Sequence, residues 1–270
     1  MLFADKIAAG WTASGSCLCV GLDPLPDRMP QRFSSDARPV LAFNRHVVDM
    51  VGDLACAFKP QFAHHGALGA EDDLARSIAY VRERAPHALV ILDAKRGDIG
   101  STAERYAIEA FDRYDADAVT VNPYLGDEGI WPFLDRPDRG AVILCRTSNA
   151  GADRVQHAVA DGKPLFLAIA ERAERVWNRL GNAMLVVGAT DAVDLARVRA
   201  AAPTLTFLVP GVGEQGGDPV AVSRAGRRDD GSGLVVSASR SILYAGDDAA
   251  MRSEAEALHR SLKTPVPQFA

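Results

Sequence analysis

Short apolar runs alternate with helically spaced segments along nearly the whole chain, and that alternation limits the possible folds more than any other feature. Strands are predicted at Cys17–Leu22, Leu54–Lys59, Leu89–Leu92, Ala116–Val121, Ala141–Cys145, Leu185–Gly188, Leu205–Val209 and Leu234–Ser237. These runs are too short for helices, rich in β-branched and aliphatic residues, and punctuated by Gly, Pro, Asn and Asp. Helical spacing covers Pro39–Asp53, Asp72–Arg84, Ser101–Tyr114, Pro164–Leu180, Asp191–Ala201, Pro219–Gly226 and Asp248–Leu262. A short helix is expected at Asp127–Leu134 and another over about residues 1–14. About eight strand–helix units in 270 residues match an α/β (β/α)8 TIM barrel better than an open doubly wound sheet. No linker or composition shift divides the chain, so residues 1–270 are expected to form one barrel domain. The tail from about residue 263, with Pro265 and Pro267, is expected to be a surface strap or a frayed end.

A barrel of this kind builds its site at the carboxyl ends of its strands. Geometry therefore selects the candidates: Asp23 after the first strand, Lys59 at the second, Asp93 and Lys95 at the third, and Asn122 at the fourth. Arg146, Thr147 and Ser148 follow the fifth strand, Gln215 lies in the loop after the seventh, and Arg240 follows the eighth. Asp93 and Lys95 are two residues apart, which points both side chains to the same side of an ideal pleat. Asp98 falls beyond the strand, on the turn into the next helix. Two carboxylates about 4 Å apart repel by roughly 4 kcal/mol at an effective dielectric near 20, and a lysine between them offsets that. Such a triad suits a reaction that creates negative charge at carbon and then protonates it. An isolated Asp-x-Lys pair is more often a surface ion pair, but lysines and aspartates at three consecutive strand ends are harder to dismiss.

The loop from Pro210 to Asp218 is rich in glycine and opens a helix, so its backbone N–H groups can approach an anion closely. Ser237-Ala238-Ser239-Arg240 sets a guanidinium beside it, where barrels often bind phosphate. The plainer reading is a glycine turn with a surface arginine.

A formal net charge of −5 disfavours bulk attraction to nucleic acid or anionic membrane. No apolar run approaches the ~18 residues of a membrane span, and Met1–Lys6 lacks the start of a signal peptide. Cys17, Cys19, Cys56 and Cys145 fall in predicted strands without a C-x-x-C pair and are expected to be buried reduced thiols. A cytoplasmic protein is the expectation. The histidines, including the adjacent His64 and His65, show no metal-ligand spacing, and no G-x-G-x-x-G follows the first strand. The chemistry is expected to need neither metal nor cofactor.

The run Asp93-x-Lys95-x-x-Asp98-Ile99-Gly100-x-Thr102 after an apolar strand resembles the signature of the orotidine 5'-phosphate decarboxylases. Val20-Gly21-Leu22-Asp23-Pro24, Phe58-Lys59-Pro60, Val121-Asn122-Pro123-Tyr124, Thr147-Ser148-Asn149, Pro210-Gly211-Val212-Gly213 and Ser239-Arg240-Ser241 extend the resemblance over the full chain. The Phe-Lys-Pro and Thr-Ser-Asn variants resemble the longer bacterial branch. Two departures are local: Phe62-Ala63-His64-His65-Gly66 stands where many relatives carry aromatic residues and an acid, and Ala150 stands where a proline often follows Thr-Ser-Asn.

The resemblance implies cofactor-free loss of CO2 from orotidine 5'-monophosphate to give UMP. It makes Lys95 the proton donor, Asp93 the neighbour of the substrate carboxylate, and Lys59 their partner at the ribose. Asp98 and Thr102 would come from the other subunit of a homodimer. Asp23 would bind a ribose hydroxyl, Ser148 the pyrimidine edge, and Gln215 and Arg240 the phosphate, with Pro210 also among the substrate-binding positions. Two rivals stand beside it: a Mg-dependent sugar-phosphate decarboxylase or aldolase of the same barrel group, and a non-catalytic nucleotide-binding protein.

Overall fold

The computed structural model describes residues 1–160, 162–213 and 216–263. Among the described residues there are ten strands: β1 Leu18–Leu22, β2 Ala57–Pro60, β3 Leu89–Arg96, β4 Ala118–Val121, β5 Gly140–Arg146, β6 Val159–Ala160, β7 Lys163–Pro164, β8 Ala183–Val187, β9 Thr206–Pro210 and β10 Leu234–Ala238. Eight of them close a barrel in the order β1-β10-β9-β8-β5-β4-β3-β2, and β6 and β7 form a separate two-stranded hairpin. Every barrel pairing is parallel. The expected (β/α)8 barrel is therefore the observed one.

The strands are apolar on both faces because side chains fill the barrel inside and helices cover it outside. Leu18, Val20, Phe58, Val90, Leu92, Val119, Ile143 and Phe207 are all fully buried. Three of the helices, Ala192–Ala201, Pro219–Gly226 and Asp248–Ser261, start where a short acidic side chain caps them. Asp191 accepts hydrogen bonds from the N–H groups of Val193 and Asp194, Asp218 from Val220, and Asp247 from Ala250, satisfying donors that have no partner within the helix.

Helix α1 (Phe3–Ser14) closes the amino-terminal end of the barrel. Trp11 Nε1 donates to Leu234 O at 2.9 Å, and Phe3 N donates to Pro137 O. Gly10 lies against Cys56 O and Leu89, where a Cβ would approach that carbonyl to 2.8 Å.

Several expected boundaries differ. Leu54–Cys56 is a turn, and β2 starts at Ala57. Cys17 and Cys56 thus precede their strands instead of lying in them, although all four cysteines are buried and unbridged. The helices expected at Ser101–Tyr114 and Pro164–Leu180 each end in a wider π-turn, Glu109–Arg113 and Ala173–Trp177. The loop expected at Thr147–Gly162 holds a short helix, Asp153–Gln156, and half of the hairpin. Pro265 and Pro267 lie outside the described residues.

Candidate active site

Asp93 is the hub of the carboxyl-terminal mouth. Its Oδ2 accepts hydrogen bonds from Lys59 Nζ at 3.1 Å and Gln61 Nε2 at 3.0 Å. Its Oδ1 accepts from Lys95 Nζ at 2.6 Å and Thr120 Oγ1 at 2.8 Å. Burial alone would raise the carboxyl pKa. The Lys59 and Lys95 ammonium groups, helped by the hydrogen bonds from Lys95 and Thr120, outweigh it and hold Asp93 well below the usual carboxylate range. It is a fixed anion.

Lys59, 5% exposed, also lies 4.0 Å from Asp23 Oδ1. Burial disfavours its charged form, but Asp23 and Asp93 more than compensate and raise its pKa. Lys95 differs in one respect that matters for chemistry: its side chain is 48% exposed at the mouth, whereas that of Asp93 is 9% exposed.

Asp93 and Lys95 meet as their spacing predicts, but by a different route. Their side chains do converge, but not through a regular pleat. Lys95 has φ +46°, and the register between β3 and β4 shifts between Leu92 and Arg96. A bulge turns Lys95 back toward Asp93.

Beside this cluster lies a cavity of about 150 Å³ lined by Asp23, Lys59, Gly211, Val212, Arg240 and Ser241 among others. It is smaller than the roughly 300 Å³ and upward of whole-ligand sites, so it suits one end of a ligand. Pro210 and Ser239 line it too. Among the described residues, two buried polar atoms there have no hydrogen-bond partner, Asp23 Oδ1 and Ser241 Oγ, and buried polar atoms ordinarily find partners. Gly21 admits this arrangement, because a Cβ there would collide with Ser239 Oγ at 1.8 Å.

Not every candidate converges. Asp98 makes no ion pair within the chain among the described residues; its Oδ1 accepts from Ile99 N. The flanking of Lys95 by two carboxylates of one chain, read from the sequence, therefore does not occur. Thr102 is exposed on the helix Gly100–Ile108. Asn122 accepts from Tyr124 N and caps a turn. Gln215 lies outside the described residues.

Arg146 is held by partners within its own chain. Nε donates to Asp194 Oδ2 at 2.7 Å, Nη2 to Asp153 Oδ1 at 2.6 Å and Nη1 to Thr147 O at 3.1 Å. It ties down the loop that carries Ser148. The same loop is pressed against Gly188, where a Cβ would lie 2.9 Å from Ser148 Cβ. His65 is likewise structural: Nδ1 faces Gln61 O at 3.0 Å and Nε2 faces Asn44 Nδ2 at 3.1 Å, inside the core.

Known proteins decide which chemistry this mouth belongs to. The model of the Orotidine 5'-phosphate decarboxylase / HUMPS family matches residues 16–255.

The chain belongs to this family.

It is 48% identical over 269 residues to the orotidine 5'-phosphate decarboxylase of Ralstonia pickettii, covering 100% of this chain and 99% of the relative. The Cellvibrio japonicus orotidine 5'-phosphate decarboxylase is 50% identical over 262 residues, 96% of each chain. The structure of Leishmania donovani OMP decarboxylase superposes with a TM-score of 0.85 at 39% identity, covering 97% of this chain and 99% of that one. These relatives carry the decarboxylase name, so the chain falls on that side of the family.

The sequence did not single out Thr120 or Gln61. Thr120 is hidden in the β-branched run Ala118–Val121, and its hydroxyl is the signal that separates it from its neighbours. Gln61 follows Lys59 by two residues, and that spacing places it beside the same carboxylate.

Proposed function

We propose that this family member converts orotidine 5'-monophosphate to UMP and CO2, the last step of de novo UMP synthesis, using its own side chains and no cofactor. The observation that carries the reading is the cluster of buried Lys59 and Asp93 with the exposed Lys95, beside a cavity lined by Arg240. In the reaction the bond between C6 and the carboxylate carbon breaks, CO2 leaves, and the electron pair stays on C6. That pair lies in the ring plane and cannot spread into the π-system, so fixed charges must stabilise it. Lys95, the exposed member of the cluster, delivers an ammonium proton to C6 and is recharged from solvent. Asp93, held ionised by two lysines, lies beside the departing carboxylate and orients Lys95.

Asp23 accepts a ribose hydroxyl, which would satisfy its orphaned Oδ1. Ser148 meets the pyrimidine edge, and Arg240, with Gln215, holds the phosphate beside Pro210. Phosphate binding at a distance from the reacting carbon contributes affinity that is realised in the transition state. The site is completed in a homodimer, with Asp98 and Thr102 entering from the second subunit; among the described residues neither is hydrogen-bonded or ion-paired to its own chain's Asp93 or Lys95. The chain acts as a single barrel domain in the cytoplasm.

Following the ultraviolet absorbance of orotidine 5'-monophosphate after adding enzyme tests the reaction. Steady loss of substrate with formation of UMP, persisting in EDTA, supports it. Binding without turnover would favour a nucleotide sensor, and loss of activity in EDTA would favour the Mg-dependent sugar-phosphate enzymes.

A further inference from the structure

Between Leu92 and Arg96, three residues of β3 stand opposite one residue of β4. Leu92 pairs with Val119 and Arg96 with Val121, so Asp93, Ala94 and Lys95 all face Thr120. The Thr120 hydroxyl accepts hydrogen bonds from the backbone N–H of Ala94 at 3.0 Å and of Lys95 at 2.9 Å. It donates to Asp93 Oδ1 at 2.8 Å. A hydroxyl has one donor and two acceptor positions, and all three are used. Lys95 sits in the left-handed backbone region at φ +46°, which a non-glycine residue occupies only where the surroundings fix it.

We propose that Thr120 is a positioning residue: its hydroxyl clamps the β3 bulge and so aims the Lys95 ammonium at the reacting carbon. The proposal rests on Lys95 being the proton donor. Thr120 is 1% exposed and does not line the cavity beside the cluster, so its effect on the reaction passes through Asp93 and Lys95. Without the hydroxyl, two backbone N–H groups lose their acceptor and one oxygen of Asp93 loses a donor, while the left-handed turn loses its tether. Valine has nearly the same shape and none of these bonds. Serine keeps all three.

The test compares Thr120→Val, Thr120→Ser and Lys95→Ala with the wild type by kcat, KM, UMP affinity and Tm. In Thr120→Val, kcat is expected to fall about 10- to 100-fold, the scale of a small misplacement of a catalytic group. KM and UMP affinity should stay within about threefold. Thr120→Ser should restore kcat to within about fivefold of wild type, because the bond set survives. The proposal is overturned if Thr120→Val turns over like wild type, or if the serine variant is as slow as the valine one. A parallel loss of UMP affinity would also overturn it, since that marks a collapsed mouth. If Thr120→Val does not fold, Thr120→Cys, a weak donor of similar size, takes its place, and full activity in it counts against the clamp. Lys95→Ala separates the two ideas. Turnover in Lys95→Ala removes the donor assignment, whereas an inactive Lys95→Ala beside a fully active Thr120→Val removes only the clamp.

Discussion

Lys59 Nζ stands 3.1 Å from Asp93 Oδ2, with the two side chains 7% and 9% exposed. Removing one member of a buried pair strands the other charge in a low-dielectric setting, typically at a cost of about 3 kcal/mol or more. Asp93 keeps Lys95 when Lys59 is lost, so Lys59→Met is expected to sit near the lower end, destabilised by about 2–3 kcal/mol in urea unfolding. Decarboxylation should fall at least about 100-fold, since the electrostatic frame is broken. A variant with wild-type stability and kcat would show that the pair is dispensable.

Gly188 keeps room for Ser148. A Cβ at position 188 would lie 3.0 Å from Ser148 N and 2.9 Å from its Cβ, so Gly188→Ala must displace the loop that carries Ser148, the proposed pyrimidine contact. KM for orotidine 5'-monophosphate is expected to rise about tenfold, the scale of a tightly contacted group moved out of place. Tm should change little. An unchanged KM would argue that Ser148 does not touch the base.

Stability is expected to fall in two acid steps. Burial holds the His65 imidazole below its ordinary pKa, partly countered by its bond to Gln61 O. Below about pH 6.5 the unfolded imidazole takes up a proton that the folded one resists, so His65 contributes stability above that pH and loses it as pH falls. The second step comes from Asp93 and Asp117. For both, burial pushes the pKa up but is outweighed: by Lys59 and Lys95 at Asp93, and by Arg82, Val90 N–H and Lys6 at Asp117. Their folded pKa values are depressed, so their contribution is complete above about pH 4 and lost below it. Urea midpoints between pH 8 and pH 3 check both steps. His65→Gln should flatten the upper one and Asp117→Asn the lower one; a flat wild-type curve from pH 7 to pH 5 would contradict the first.

If Asp98 serves the neighbouring site, two inactive parents should complement each other. A mixture of Lys95→Ala and Asp98→Ala chains, refolded together, has one intact site in each heterodimer. About a quarter of wild-type activity is expected for random C2 pairing. No recovery in a mixture shown to contain heterodimers would place Asp98 in its own chain's site.

The barrel was legible because strand and helix periods switch cleanly, and the barrel in turn selected Asp23, Lys59, Asp93, Lys95 and Arg240 by position alone. Asp93 and Lys95 were found for an incomplete reason. A pleat brings residues i and i+2 to one side, but here a bulge and a left-handed Lys95 produce the convergence. The scaffold contacts of Arg146 were not legible, because its partners, Asp153 and Asp194, lie 7 and 48 residues away. Thr120 looked like one more β-branched strand residue. Its value depends on the unpaired N–H groups of a bulge, and a bulge leaves no mark in an apolar run. The π-turns at Glu109–Arg113 and Ala173–Trp177 escaped for the same reason: one extra residue per turn does not disturb a helical pattern.

The central claim is that the Lys95 ammonium protonates the anion left at C6. Lys95→Ala, assayed for UMP formation from orotidine 5'-monophosphate and in parallel for UMP binding, tests it most directly. Turnover is expected to disappear, by at least about 10⁴-fold for loss of an obligatory proton donor, with UMP affinity kept within about tenfold because Arg240 and Asp23 remain. UMP formation at the wild-type rate in Lys95→Ala would contradict it.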